Sequence, residues 1–187
     1  MVGYGQYTPF LNGRMTPHYR KWISMLERSC SAVYKQNNIE YVNVTCVEEW
    51  HSFQTFAQWC DSQVGFNNCG WHLDKDLIIK GNKIYGPDVC SFVPPELNAI
   101  LNTRSRARSD SGVVGVLQTK YGRWMATCKV GGSHSEYLGT YSTIEEAFLV
   151  YKERKEQYIK ECANKWRGQI DERLYHALMA RVVEMGD

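Results

Sequence analysis

No apolar run in these 187 residues exceeds a few positions. A membrane-spanning helix needs ~20 such residues, so one is excluded. The first residues, MVGYGQYTPFLNGRM, lack the basic-then-apolar layout of a secretory signal, and the default expectation is a cytoplasmic protein. Seven cysteines are present, but no two stand at C-x-x-C spacing. That excludes a zinc knuckle built on such pairs, and the odd count excludes complete internal pairing. In a reducing compartment most are expected as small buried apolar side chains. Internal repeats and low-complexity tracts are absent. Strong net charge is absent too, at +2.

The chain does have material for a core. Hydrophobic residues make up 43% and aromatics 13%, which argues against disorder and allows one large core or two small ones. Its charge is unevenly distributed. Residues 1–103 carry a net −1 and residues 104–187 a net +3, with +5 inside 104–134 alone. A local basic excess of that kind suits a polyanion or makes a solvated surface.

Periodicity gives an outline. Thr16 and Pro17 open a helix with Trp22, Met25 and Leu26 on one face. NNIEYVNVTC reads as a strand. VEEWHSFQTFAQWC returns to helical spacing, with Trp50, Phe53, Phe56 or Ala57, and Cys60 forming a core stripe. Glu48 and Glu49 suit its N-terminus, with His51 beside them. GWHLDKDLIIKGNKIYGPDVCSFVP reads as a strand, a turn at Lys80–Lys83 and extended chain stopped by Pro94 and Pro95. PPELNAILN is a short helix. TRSRARSDSG is polar and non-periodic and marks a linker, so the expected organisation is a domain over 1–103, a basic linker over 104–111 and a second domain over 112–187.

Beyond the linker, GVVGVLQT, RWMATCKV and EYLGTYST, separated by KYGR and GGSHS, predict a three-stranded antiparallel meander. His134 falls in the second turn. Ser142 or Thr143 caps a long helix of about six turns at 3.6 residues each. Ile144, Phe148, Tyr151, Lys155, Tyr158, Ile159, Cys162 and Trp166 share one side of it. A final helix, DERLYHALMARVVEM, starts at Asp171. The class is therefore α+β: N-terminal helices with a hairpin, then a sheet packed on a long helix and a final helix. His18 and His176 sit on helices, and no chemistry is expected of either.

From Gly112 to Tyr151 the motifs GRW-x-A, YLGTY and T-x-EEA resemble the three-stranded DNA-binding domain of plant ethylene-response factors, the Apetala type. The resemblance implies a sheet that enters the major groove while the helix behind it supplies the core. On the first two strands the outward candidates are Gln118, Lys120, Arg123, Trp124 and Lys129, with Thr127 as a further one. Trp124 either packs on the sugar–phosphate chain or belongs to the core. Arg104, Arg106 and Arg108 add phosphate contacts. Family members usually carry arginines early in the first strand, where this chain has Val114 and Leu117.

The segments CVEEWHSFQTFAQWC and LDKDLIIKGNKIYGPDVCSFVPPELNAIL resemble phage-type HNH homing endonucleases. With the C-terminal domain included, this resemblance covers most of residues 20–175. It implies a ββα-metal hairpin holding one divalent cation, Mg2+ or Mn2+. A histidine acts as general base and the metal faces the leaving 3′-oxygen. Strand alternation puts His72, Asp74 and Asp76 on one face, and these are the catalytic candidates. Asp74, Asp88 and Asn98 are the candidate ligands, Asp88 near the family's middle ligand and Asn98 on the following helix. In commoner HNH proteins the base directly follows the first-strand Asp. Here that position is Lys75, and Val89 stands near the expected middle Asn.

Two functions compete on these residues. The first is a phage-type endonuclease that docks duplex DNA through its C-terminal sheet and hydrolyses phosphodiesters with a metal, in the host cytoplasm. The alternative is a catalytically inactive DNA-binding or host-factor-binding phage regulatory protein of the same descent, with double-stranded DNA or a host protein as partner. A purely structural interaction module is disfavoured by the basic linker and the sheet pattern.

Overall fold

The computed structural model describes residues 5–100, 111–131 and 135–187. Its contacts divide the chain into two compact units. Residues through Pro95 form the first together with Gly168–Leu174, and Glu96–Arg167 with Tyr175–Asp187 form the second. The division at Pro95 precedes the polar segment 104–111 that composition marks as a linker, and residues 104–110 lie outside the described residues. Helices and short sheets together make the class α+β. Among the described residues no helix is long and apolar enough to cross a membrane.

The first unit opens with a tight hairpin, β1 (Phe10–Leu11) against β2 (Arg14–Met15). Asn12 and Gly13 take φ of 50° and 73° in its two-residue turn, the left-handed pair that such hairpins require. Helix α1 (Pro17–Cys30) follows, capped by Thr16, whose hydroxyl accepts from the Tyr19 amide. Ser31 then caps α2 (Ala32–Asn37). NNIEYVNVTC is a strand for only two residues, β3 (Thr45–Cys46), preceded by a 3-10 turn at Ile39–Tyr41. A local cause is visible. Asn37 and Asn38 donate back to the Val33 and Tyr34 carbonyls at 3.1 and 2.8 Å, which holds the chain in helix-end geometry.

Glu48 and Glu49 belong to a separate 3-10 turn, Glu48–His51, while Ser52 caps helix α3 (Phe53–Asp61). The expected stripe is buried at Trp50, Phe56, Ala57 and Cys60. Trp50 meets Phe56 edge-on at 5.1 Å and Trp59 at 4.6 Å, and Trp59 reaches Phe92 at 5.7 Å. Full burial of Phe56 and Phe92 stabilises the unit by roughly 1.5–3 kcal/mol each. Phe92 lies in β6 (Ser91–Val93), which runs antiparallel to β4 (His72–Asp74). Between them β5 (Ile84–Tyr85) pairs parallel with β3. This aromatic chain therefore fixes the hairpin against α3.

In the second unit β7 (Val116–Gln118), β8 (Trp124–Lys129) and β9 (Ser135–Tyr141) form the antiparallel meander in sequence order. Helix α5 (Ile144–Lys165) packs on it. Thr143 and Glu146 make a reciprocal capping box at its start. Val116, Ala126 and Cys128 are buried on the sheet side, and Ala147, Phe148, Tyr151 and Lys155 on the helix. Gly115 is required here. At φ 77°, a Cβ would stand 2.2 Å from the Tyr151 ring.

Helix α4 (Pro95–Ile100) begins at the division between the units. Its Glu96 carboxylate accepts from Lys165 at 2.7 Å and from the Trp166 indole at 3.0 Å, and the Ile100 carbonyl accepts from Lys155 at 2.6 Å. The last helix, α6 (Glu172–Met179), ends before the RVVEM stretch that the helical pattern includes. There the chain is tied instead by Val183, whose carbonyl accepts from Lys152 and whose amide donates to Glu156.

Candidate functional site

The ladder between β4 and β6 sets His72 opposite Val93, Leu73 opposite Phe92 and Asp74 opposite Ser91. Leu73 points into the core, so His72 and Asp74 share the other face. The strand ends at Asp74, and Asp76 therefore lies beyond the alternation predicted to align all three. Asp76 still approaches Asp74 by another route. Asp74 Oδ1 accepts from the Asp76 and Leu77 amides at 2.9 and 2.8 Å, an Asx turn that folds the chain back. Farther along, Asn82 of KGNK donates to the Lys75 and Ile84 carbonyls, both at 2.7 Å, and closes the loop.

The turn brings Asp76 back beside Asp74, near enough for its charge to act on the Asp74 carboxyl. Burial first, and then the negative charge of Asp76, push the Asp74 carboxyl up to about 6, against the pull of its two amide donors. Directly across the ladder Ser91 Oγ is buried with no hydrogen-bond partner among the described residues. Residues opposite each other in an antiparallel pair share a face, so this hydroxyl is on the Asp74 side. Lys75, where the resemblance to HNH proteins leads one to expect the base, is buried. Its ammonium lies 3.2 Å from Asp76 Oδ2 and 5.8 Å from the ring centres of both Tyr41 and Tyr85.

His72 is exposed. Partial desolvation, with Lys21 and Arg28 nearby, holds its imidazole below the usual range and favours the neutral form. Both cations come from α1. Lys21 donates to the Trp71 carbonyl, and Arg28 stacks 5.2 Å from the Tyr85 ring centre. A neutral imidazole is what a general base requires. Lys21, Arg28 and Ser91 were not legible as site residues because only the folded register brings them near His72 and Asp74.

The remaining ligand candidates are placed differently. Asp88 is exposed in the turn between β5 and β6, and Arg173 donates to its carbonyl at 3.0 Å. Arg173 is itself held by Asp171 at 2.7 Å. Asn98 is half-buried on α4 and belongs to the second unit. The acids that meet are thus Asp74 and Asp76, and Asp88 has Arg173 as its neighbour.

On the sheet, parity sorts the nominated DNA contacts. Val116, Ala126 and Cys128 face α5, and Glu136, opposite Cys128, reaches Arg154 of α5 at 2.8 Å. Trp124 has the same parity and is half-buried, with Gln118 opposite it. Both are therefore on the helix side of the sheet and not on its outer face, although Gln118 is exposed. The outer face carries Leu117, Met125, Thr127 and Lys129 with Tyr137 and Thr140, the last two joined by a 2.8 Å hydroxyl bond. The register shifts by one at an extra residue, Leu138, where the pairing skips from Gly139 to Tyr137.

Arg123 is exposed just before β8 and donates to the Thr140 carbonyl at 3.2 Å. Lys120 is exposed in the β7–β8 turn and lies over the Tyr121 ring. Arg104, Arg106, Arg108 and His134 lie outside the described residues. Comparisons of the chain with protein-family models, with curated proteins and with solved structures gave no match.

Proposed function

We propose that this chain is a metal-dependent DNA endonuclease of the phage HNH type, docking duplex DNA through its C-terminal sheet. The observation that carries the reading is the Asx turn at the end of an antiparallel ribbon, which folds Asp76 back beside Asp74. The buried, unpartnered Ser91 hydroxyl stands opposite Asp74. An all-oxygen donor set with two acids fits a hard divalent cation, Mg2+ or Mn2+. Asp74 and Asp76 would hold it. Bound there, the cation supplies charge stabilisation to the scissile phosphate and its leaving oxygen.

The chain's own groups divide the rest of the work. His72, neutral and exposed, accepts a proton from the attacking water at a ring nitrogen. Partial burial, with Lys21 and Arg28 beside it, favours the uncharged imidazole before the reaction. On the second unit, Lys129 and Arg123 offer charge to phosphates, and Thr127, Thr140 and Tyr137 offer hydroxyls to the backbone or base edges.

One observation favours the second reading, a non-cleaving DNA-binding or host-factor-binding phage protein of the same type. The Lys75 ammonium already places a cation 3.2 Å from Asp76. The test is a gel: purified protein with supercoiled and linear duplex DNA at low salt, with Mg2+, Mn2+ or EDTA. Metal-dependent nicking that disappears in Asp74→Ala, while DNA binding stays, supports the nuclease. A shifted, uncut band under every condition supports the second reading. Neither nicking nor a shift would remove both.

A further inference from the structure

Three side chains of the first unit that play no part in the hairpin converge elsewhere. Cys30 is the last residue of α1, Cys46 the second residue of β3, and His51 the last residue of the 3-10 turn before α3. One ligand atom from each lies within 4.8 Å of the others. The Cys46 sulfur and His51 Nε2 are 3.3 Å apart. In a tetrahedral zinc site, with Zn–S near 2.3 Å and Zn–N near 2.0 Å, neighbouring ligand atoms stand roughly 3.6–3.8 Å apart. The group needs only side-chain adjustment to reach that spacing.

We propose that Cys30, Cys46 and His51 form a Zn2+ site with one coordination position left to water. Two thiolates and a neutral imidazole give a donor set whose charge balances Zn2+, and soft sulfur ligands discriminate against Mg2+ and Ca2+. The site is therefore chemically independent of the hard-oxygen hairpin, and it stands or falls apart from the nuclease reading. Its framework is fixed by regular structure. The end of a helix holds one sulfur, and a parallel ladder to Tyr85 holds the other. Ser29 Oγ lies 3.4 Å from the Cys30 sulfur, with its proton donated to the Met25 carbonyl at 2.8 Å.

Access is open, since Cys30 and His51 are exposed and Cys46 is half-buried. No fourth histidine, cysteine or acid joins the group among the described residues, which leaves the water position. Cys60, Cys90, Cys128 and Cys162 are buried, whereas Cys69 is exposed outside the group and serves as an internal control.

The test uses the full chain, reduced and metal-free, titrated with Co2+ under anaerobic conditions. The expected result is thiolate-to-cobalt absorption with tetrahedral visible bands, saturating at one ion per chain and erased by Zn2+. Cys46→Ser and His51→Gln each weaken binding at least ~tenfold, as loss of a ligand should. Cys69→Ser leaves it unchanged. His51 is an exposed ring, so its variant separates loss of a ligand from loss of the fold, and circular dichroism confirms that the variant is folded. Absence of the thiolate band in reduced protein overturns the proposal. So does an unchanged band in His51→Gln, a band lost in Cys69→Ser, or ready closure of a Cys30–Cys46 disulfide without any metal uptake by the reduced form.

Discussion

Replacing Asp74 with Asn isolates the charge at the hairpin without touching its scaffold. The Asn carbonyl can still accept from the Asp76 and Leu77 amides, now 2.9 and 2.8 Å from Asp74 Oδ1, so the Asx turn survives. What disappears is a carboxylate whose ionised form the fold disfavours, its pKa raised from 3.8 to about 6 by burial and by Asp76. At 1.36 kcal/mol per pKa unit, the ionised form costs the metal-free fold about 3 kcal/mol. The folded value lies above the unfolded one. The native state therefore binds the proton more tightly, and the penalty is full above about pH 6, fades as pH falls toward 4 and is absent below.

Metal-free Asp74→Asn should accordingly be more stable than the parent at pH 7.5, by up to about 3 kcal/mol, and should match it near pH 3.5. Urea denaturation at the two pH values measures this. Added Mg2+ should stabilise the parent and leave the variant unaffected, because only the parent keeps the charged pair. A variant that is less stable than the parent at pH 7.5 would refute the reasoning. The Asp74 charge would then be stabilising in the fold, and the case for a cation beside it would fall.

Two further outcomes follow from the second unit. Lys129→Ala together with Arg123→Ala should weaken duplex binding and reduce the dependence of log K on log salt by about one unit for each lost phosphate contact. Filter binding across a salt series reads this, and an unchanged slope would move the docking face elsewhere. Thr143→Ala removes half of the capping box at the start of α5 and should cost about 1 kcal/mol in thermal or chemical unfolding, whereas Thr143→Ser should cost little.

Much of the fold was readable from local chemistry. The Thr16–Pro17 start of α1, the Trp50–Cys60 stripe, the meander and the long α5 all rest on signals carried within a few residues. Side-chain direction on the sheet was harder to read. Alternation alone does not say which parity meets the helix, and the extra residue at Leu138 resets β9 relative to β8. That is why Trp124 and Gln118 are on the helix side while Tyr137 and Thr140 join Lys129 outside.

At the hairpin the pattern His72-x-Asp74-x-Asp76 implied one continuous strand. Asp74 instead ends the strand by capping the backbone itself, a competition between side chain and ladder that spacing does not display. The Cys30, Cys46 and His51 group was illegible for a different reason. Its members come from a helix end, a two-residue strand and a 3-10 turn, so no short motif contains them.

On the proposed nuclease reading Asp74 would carry a double duty, and that has a consequence for descent. Folding of this loop needs an acceptor at position 74 that can take two amide hydrogens, a demand that Asn or Ser can meet. Holding a cation needs the anion. On that reading, selection for shape and selection for cutting would act on different properties of one residue. A lineage that ceased to cut would be expected to drift from Asp to Asn or Ser at this position while the loop stayed intact, and substitutions that break the loop would come later.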